Sequence, residues 1–487
     1  MTRSRLLSLL LAVLTLAPLG LQAAATPTAG LDLPVLGRVT PIHAATAPDN
    51  SWWSIGGETL DRDFAVYENY KPYLGPLGVK SIRLQAGWAK CEKSPGVYSW
   101  DWLDTIINDA VAQGVRPWLE FNYGNPVYPG GGDTGLGGGL PSSPEAIAAW
   151  ERWVRALVVR YGQHVHEWEV WNEPDLNNRG TATVQAYTDL YIKTAVIVRE
   201  LQPHSRLYAL ALAHTPEYAE QFIDLMHARG RLDLIDAITH HGYPNNPDQT
   251  AIVDRLRARI APLGRSIQIR QGETGAPSRH QEDFALRNIT WTENTQAKWN
   301  LRRMLAHRAK DVPFNLFTLS DMHYRQGNNT SGTPDGQLRM NYKGLLGTNP
   351  DQTISHVKLA YYAAQSIFAI FGDTLVRVAD YPFTSTALRN VALTGYQTSS
   401  GAQLAAYWFS DAPPAEANGV NLVTLRLPKA RFTEPVLVDL RTSTVYALPR
   451  DAWTQNDQGA VFTALPVYDS PLLLAERSLI PLTPATR

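Results

Sequence analysis

Residues 168–212 read WEVWNEPDLNNRGTATVQAYTDLYIKTAVIVRELQPHSRLYALAL. Trp168–Trp171 is a short strand-like run, closed by Pro174. Val184–Leu201 has helical spacing, and Leu207–Leu212 is again a strand. Two strands joined through a helix rather than a tight turn lie parallel. The same alternation extends in both directions. Upstream are strand Val79–Leu84, helix Trp102–Gln113 ending at Gly114, strand Val115–Phe121 and helix Pro144–Tyr161 with Ser143 as its N-cap. Downstream are helix Glu217–Ala228, strand Leu234–His241, helix Ala251–Ile260, strand Ile267–Gln271, helix Thr295–Ala309, strand Phe314–Leu319 and helix His356–Phe371. A first strand near Trp52–Gly57, followed by a helix over Phe64–Tyr73, completes eight units. That count over 50–372 predicts a (β/α)8 TIM barrel. The competing doubly wound sheet needs a nucleotide-type glycine loop after its first strand, and none is present.

Beyond Phe371 the helices stop. Leu375–Ala379, Val391–Tyr396, Gln403–Phe409, Val420–Leu427, Pro435–Asp439, Thr444–Leu448, Ala460–Ala464 and Ser470–Ala475 are short strand-like runs separated by turn residues. They predict an antiparallel β-sandwich over 373–487. Within 26–49, Leu33–Val39 is a candidate to join it. Residues 1–25 have Arg3 and Arg5, an apolar run Leu6–Leu21 and Ala23-Ala24-Ala25. That is the order of a secretory signal peptide. The run is short for a membrane span, and no Cys lies near the cut to carry a lipid. The expectation is a secreted or periplasmic protein with no stable membrane insertion after cleavage. The 487 residues carry a net charge of −1, so no charge excess draws the chain to nucleic acid. One Cys, Cys91, excludes an intrachain disulfide framework and a Cys-based metal site.

Barrel chemistry sits at the C-terminal strand ends. The fourth strand ends Trp168-Glu169-Val170-Trp171-Asn172-Glu173-Pro174. Strict alternation puts Glu169, Trp171 and Glu173 on one face. The seventh ends Gln271-Gly272-Glu273-Thr274-Gly275. Strands four and seven face each other across the mouth. Two opposed carboxyls, Glu173 and Glu273, suit glycoside hydrolysis, in which one gives a proton and the other attacks or activates water. A lone strand-end Glu would more simply be an ion-pair partner or a helix cap.

The motifs Phe121-Asn122-Tyr123-Gly124-Asn125-Pro126, Trp168–Pro174, His241-Gly242-Tyr243-Pro244 and Glu273-Thr274-Gly275 resemble clan A of the glycoside hydrolases. Within the clan they resemble family 39 and its bacterial exopolysaccharide-hydrolase branch. The resemblance implies a retaining enzyme, with Glu173 as acid/base and Glu273 as nucleophile. It further implies that Asn172 holds the sugar 2-hydroxyl and that Arg83 keeps the nucleophile ionised. A retaining pair stands about 5–5.5 Å apart. An aromatic, partly dry setting and the charge of Glu273 are expected to raise the pKa of Glu173.

His241 and Tyr243 share a face on strand six. Tyr243 is a candidate donor to Glu273, and His241 a candidate contact to Glu273 or to a sugar. His240 points the other way and reads as structural, and a zinc site lacks further ligands. Asn122 and Tyr123 are candidates for sugar hydroxyls and Glu120 for a buried partner. Trp88, Trp52, Trp53, Tyr128 and Trp291 fall in predicted mouth loops as candidate stacking platforms, each against the simpler reading of a core residue. Clan members commonly carry an aromatic at the end of strand eight. Here that end reads Leu319-Ser320-Asp321-Met322-His323-Tyr324, so Tyr324 is a candidate replacement and Asp321 a candidate hydroxyl partner. The glycine-rich run Gly130–Gly139 is either a slack insertion or a mobile cleft rim. The functional expectation is an endo-acting β-glycosidase on an exopolysaccharide, with no metal or organic cofactor. The alternatives are an exo-acting β-xylosidase or α-L-arabinofuranosidase, a non-catalytic carbohydrate-binding matrix protein, and a polysaccharide lyase.

Overall fold

In a computed structural model, the structure describes residues 31–177, 180–324 and 338–485. The signal segment expected over 1–25 lies outside them. Strands β1 (Val35–Val39), β2 (Trp53–Gly56), β3 (Ser81–Gln85), β4 (Arg116–Phe121), β5 (Glu167–Val170), β6 (Arg206–Leu212), β7 (Ala237–His240), β8 (Gln268–Thr274) and β9 (Phe314–Leu316) come first in chain order. β2–β9 form a closed parallel barrel, with β2 paired to both β3 and β9. Closure excludes the doubly wound alternative.

The first crossover corrects the expected helix Phe64–Tyr73. It starts later and is irregular: two four-residue α-turns, Tyr67–Tyr70 and Leu74–Leu77, joined by a 3-10 turn, Lys71–Tyr73. Pro72 and Pro76 remove backbone donors there, and Gly78 turns the chain out at φ 85°. The later crossovers are full helices. Pro144–Tyr161 is capped by Ser143, whose side chain accepts from Ala146 N, and Val184–Leu201 is capped in the same way by Thr183.

Period-two alternation sorts the strand residues. Ile82, Leu84, Leu119, Trp168 and Ile238 pack outward into the main core with the helices. The lumen is unusually polar. Near its floor Trp118, Tyr208 and Ala237 form a small cluster, and Arg270 stacks 4.6 Å over Trp118. Above them lie Arg83, Glu120 and Glu169, all fully buried.

The C-terminal part is two antiparallel sheets. One runs 376–377, 391–397, 403–409, 472–476, 435–439, 444–447, β1, 482–484, and the other 384–385, 421–427, 459–467, 453–456. β1 pairs with Thr444–Tyr446 on one side and Leu482–Pro484 on the other. Residues 33–487 form one compact unit. The helix Glu293–Arg308 is buried on every side between barrel and sandwich. Its cations reach across: Lys298 Nζ lies 2.8 Å from Asp469, Arg302 donates to the Ala412 carbonyl, and Arg308 donates to the Leu375 carbonyl.

Candidate active site

Two backbone irregularities aim the glutamates. After β5 the chain leaves the extended region, with Trp171 at φ 67° and Glu173 at φ 51°. Strict alternation is therefore overturned. Glu169 stays in the lumen, whereas Trp171 turns out against Trp150 at 5.8 Å. The neighbouring β6 bulges at Leu210 and Ala211, and Ala211 O receives Glu173 N at 3.1 Å. β8 shifts register against β9 between Gln271 and Thr274, which is where Glu273 sits. Bulges of this kind commonly re-aim side chains beside active sites. Gln271 Nε2 holds the Glu273 carbonyl at 2.9 Å. Gly275 has no room for a Cβ, which would meet Phe317 O at 1.8 Å.

Glu173, His241 and Glu273 each present one atom, all within 4.8 Å of one another. The two carboxyls therefore face each other. Tyr243 Oη donates to Glu273 Oε1 at 2.6 Å, and Arg83 Nη1 donates to Oε2 at 3.2 Å. His241 Nδ1 lies 2.7 Å from Glu173 Oε1. Burial pushes the His241 imidazole down to about 4, so it is neutral. Burial, with Asp175 as the second contributor, pushes Glu173 up to about 8. The charge that assists is therefore Asp175 and not the expected Glu273. At neutral pH one carboxyl is an acid and the other accepts hydrogen bonds from a cation and a phenol. The Glu173–His241–Glu273 spacing would also suit a cation, but the Arg83 guanidinium beside Glu273 opposes one there.

Arg83 is the hub. Its guanidinium donates to Glu58 at 2.9 Å, to Glu169 at 2.8 Å and to Glu120, as well as to Glu273 and to Asn172 Oδ1 at 2.9 Å. One cation cannot offset three buried carboxylates together with Glu273, so protons stay in the cluster. Burial raises Glu58 to about 7 and lifts Glu120 well above its ordinary range. Asn172 Nδ2 donates to Tyr123 Oη at 2.9 Å, which fixes its carbonyl toward Arg83. Asn122 accepts from Gly87 N at 3.2 Å, and its buried Nδ2 has no hydrogen-bond partner among the described residues. Tyr324 stands at the end of the strand-eight segment, with its ring 4.4 Å from Phe64 and 4.7 Å from Phe284. His240 is buried, with Nδ1 2.8 Å from the His241 carbonyl.

Several candidate sugar contacts lie elsewhere. Trp88 is fully buried, stacked between Tyr128 at 5.7 Å and Trp153 at 6.0 Å, and its indole donates to Glu92. Tyr128 donates to the same Glu92. Trp291 is buried beside Leu286 and Trp299, with its indole bonded to Leu286 O. Trp52 and Trp53 line a cavity at the opposite, N-terminal end of the barrel. Asp321 is buried in an ion pair with Lys358 at 2.6 Å and accepts from Gly344 N. In each case the hydrophobic core or a buried partner claims the side chain. Conversely, Glu58 and Lys343 belong to the site and were not foreseen. Glu58 follows the first strand, so the strand-end criterion used for Glu173 and Glu273 would have found it. Lys343 carries no local signal.

The sequence pattern of glycosyl hydrolases family 39 matches residues 87–269, which span β4 to the first residues of β8. The match is confined to this stretch of the barrel. A Beta-xylosidase of Geobacillus stearothermophilus is 30% identical over 156 residues, which are 30% of this chain and 31% of that one. The aligned part thus covers about a third of that curated relative. A family 39 glycoside hydrolase from Bacteroides cellulosilyticus WH2 superposes with a TM-score of 0.63 at 17% identity, over 90% of this chain and 83% of that one. A monomeric beta-xylosidase from Caulobacter crescentus CB15 gives 0.57 at 17% identity, over 90% and 98%. These likenesses show the fold, and the pattern match covers the strands that carry Glu120, Glu173 and His241, while Arg83 and Glu273 lie outside it.

Proposed function

We propose that this protein is a retaining glycoside hydrolase in which Glu173 is the acid/base and Glu273 the nucleophile. The facing of the two carboxyls in opposite protonation environments carries the reading. In the first step Glu173 gives its proton to the glycosidic oxygen. The C1–O bond to the leaving group breaks as Glu273 forms a bond to C1. Glycosylation removes the charge of Glu273, and Glu173, now ionised, takes a proton from water, which attacks C1 and releases the sugar. Arg83 and Tyr243 stabilise the Glu273 carboxylate before attack and after release. Neutral His241 orients Glu173 without adding charge.

The substrate is a glycan, and the favoured action is endo cleavage of a polysaccharide outside the cytoplasm. A cavity of about 230 Å³ lined by Arg62, Gly87, Lys90, Tyr123 and Thr134 gives room beside the site, next to the Asn172 partner Tyr123. The depth of the site supports the exo-acting alternative, since the side chains of Glu173 and Glu273 are only 10% and 13% exposed. It also agrees with the name of the Geobacillus relative. Incubation with bacterial and plant glycans, read by mass spectrometry, separates them. Endo action gives an oligosaccharide ladder and exo action a monosaccharide, and E273Q should give neither. Cleavage undiminished in E273Q would overturn the mechanism, and binding without cleavage by the wild type would make this a matrix protein. Unsaturated products would make it a lyase. Export rests on the first 25 residues, and N-terminal sequencing of the protein from its native host checks it.

A further inference from the structure

Three lysines are buried in the described residues: Lys298, Lys343 and Lys358. Two have the counter-ion that burial demands. Lys298 Nζ sits 2.8 Å from Asp469 and also meets the Ala415 and Ala417 carbonyls. Lys358 Nζ sits 2.6 Å from Asp321 and 3.3 Å from the Tyr342 carbonyl. Lys343 is 1% exposed, and its one hydrogen bond among the described residues is a long one, 3.4 Å to Asn341 Oδ1. No carboxylate of the described residues stands within ion-pair distance of it. An ammonium has three protons to place, so this one is left largely unsatisfied.

Its position gives the shortage meaning. Lys343 Nζ lies 5.3 Å from the centre of the Tyr243 ring and 5.7 Å from that of Phe284. Tyr243 is the residue whose hydroxyl holds Glu273. The backbone of Lys343 is pinned, because its carbonyl accepts from Thr318 N and the next amide, Gly344 N, is held by Asp321. A Cβ at Gly344 would meet Asp321 N at 2.1 Å, so the turn is tight. The lysine is thus delivered to the wall of the catalytic centre by a rigid turn. The charge of Glu273 is already engaged by Arg83 and Tyr243, and glycosylation would remove it altogether. Burial depresses the Lys343 pKa to about 7, and the nearby charge of Glu273 offsets that only in part.

We propose that Lys343 binds an anionic substituent, a ring carboxylate or a sulfate ester, on the sugar held against Glu273, and that the substrate is therefore an acidic glycan. The inference rests on the hydrolase reading above. It differs from what the names of the xylosidase relatives suggest, because xylose is neutral.

The test uses the full chain and three sets of aryl glycosides: neutral hexosides and pentosides, the corresponding hexuronides, and sulfated hexosides. The wild type is expected to hydrolyse at least one acidic member with kcat/KM at least tenfold above its neutral parent. Preference for hexuronides identifies the carboxylate, and preference for sulfated hexosides identifies the sulfate. In K343M the acidic-to-neutral ratio should fall at least tenfold, mainly through KM, and K343R should restore part of it. A role in folding alone would lower both substrate classes together, and that outcome overturns the proposal. So does a wild type that prefers the neutral sets, in which case the hydrolase reading survives by itself. If no glycoside of any set is cleaved, this proposal falls, and the incubation with whole glycans decides the hydrolase reading separately. Melting curves for K343M and K343R establish that each variant is folded.

Discussion

The reactive geometry is set by single side chains whose neighbours decide their protonation. Among the described residues no cation is paired with Glu173, and burial with Asp175 beyond it raises it to about 8. The proposed acid must carry its proton, so kcat/KM should decline as pH rises through about 8. A pH–rate profile checks this, and the basic limb should move in a variant at Asp175. The sign for stability is the same. A carboxyl raised from 4.5 to about 8 contributes stability that is fully present below 4.5 and is lost as pH rises through 8. The stability of E173Q relative to wild type should therefore improve between pH 5 and pH 9 in urea denaturation. Trp88 gives the contrasting case. It opens the helical turn Trp88–Cys91 that follows β3 on the catalytic face, but its ring is enclosed by Tyr128, Trp150 and Trp153. Trp88→Ala should cost about 3–5 kcal/mol and lower the melting temperature. Loss of a sugar platform would instead raise KM with the stability intact.

At the scale of elements, the strand–helix alternation was readable because each unit carries its own period. The Gly130–Gly139 run was ambiguous between a slack insertion and a mobile rim. In the structure it is knitted by backbone bonds, Gly124 N to Asp133 O and Asn125 N to Gly131 O at 2.8 Å, and Ser142 N to Gly130 O at 2.8 Å. Gly132 is at φ 85°, and a Cβ there would meet Gly139 O at 2.0 Å. Gly132→Ala should therefore destabilise by at least about 1 kcal/mol and open the loop to proteases, as limited proteolysis would show. What the sequence hid depends on distant partners. Left-handed turns at Trp171 and Glu173, neither of them a glycine, left no local trace. Nor did the pairing that brings Lys343 to the site, since Met322–Tyr324 pairs with Arg339–Asn341 across an insertion. The helix Glu293–Arg308 reads as an ordinary helix until the sandwich covers its outer face. Aromatics were over-assigned to the mouth because sequence places them on a loop without saying which side of the loop they occupy.

On the scale of the whole molecule, barrel and sandwich share buried charge. Asp469 on the sandwich satisfies Lys298, Arg441 Nη1 reaches Asn294, and Trp408 donates to Asp248, the partner of Arg302. Removing one member of a buried pair strands the other, at about 3–5 kcal/mol. A chain ending at residue 372 should therefore fail to give a soluble, cooperatively folded barrel, and the intact chain should melt in a single transition by calorimetry. The place of β1 adds a temporal consequence. Its partners, Thr444–Tyr446 and Leu482–Pro484, lie about 400 residues downstream. At roughly 5–20 residues per second, a ribosome needs about 20–80 s to deliver them after Val39 has been made. During that interval the strand has neither neighbour, so this sheet can close around it only after residue 484 has left the ribosome.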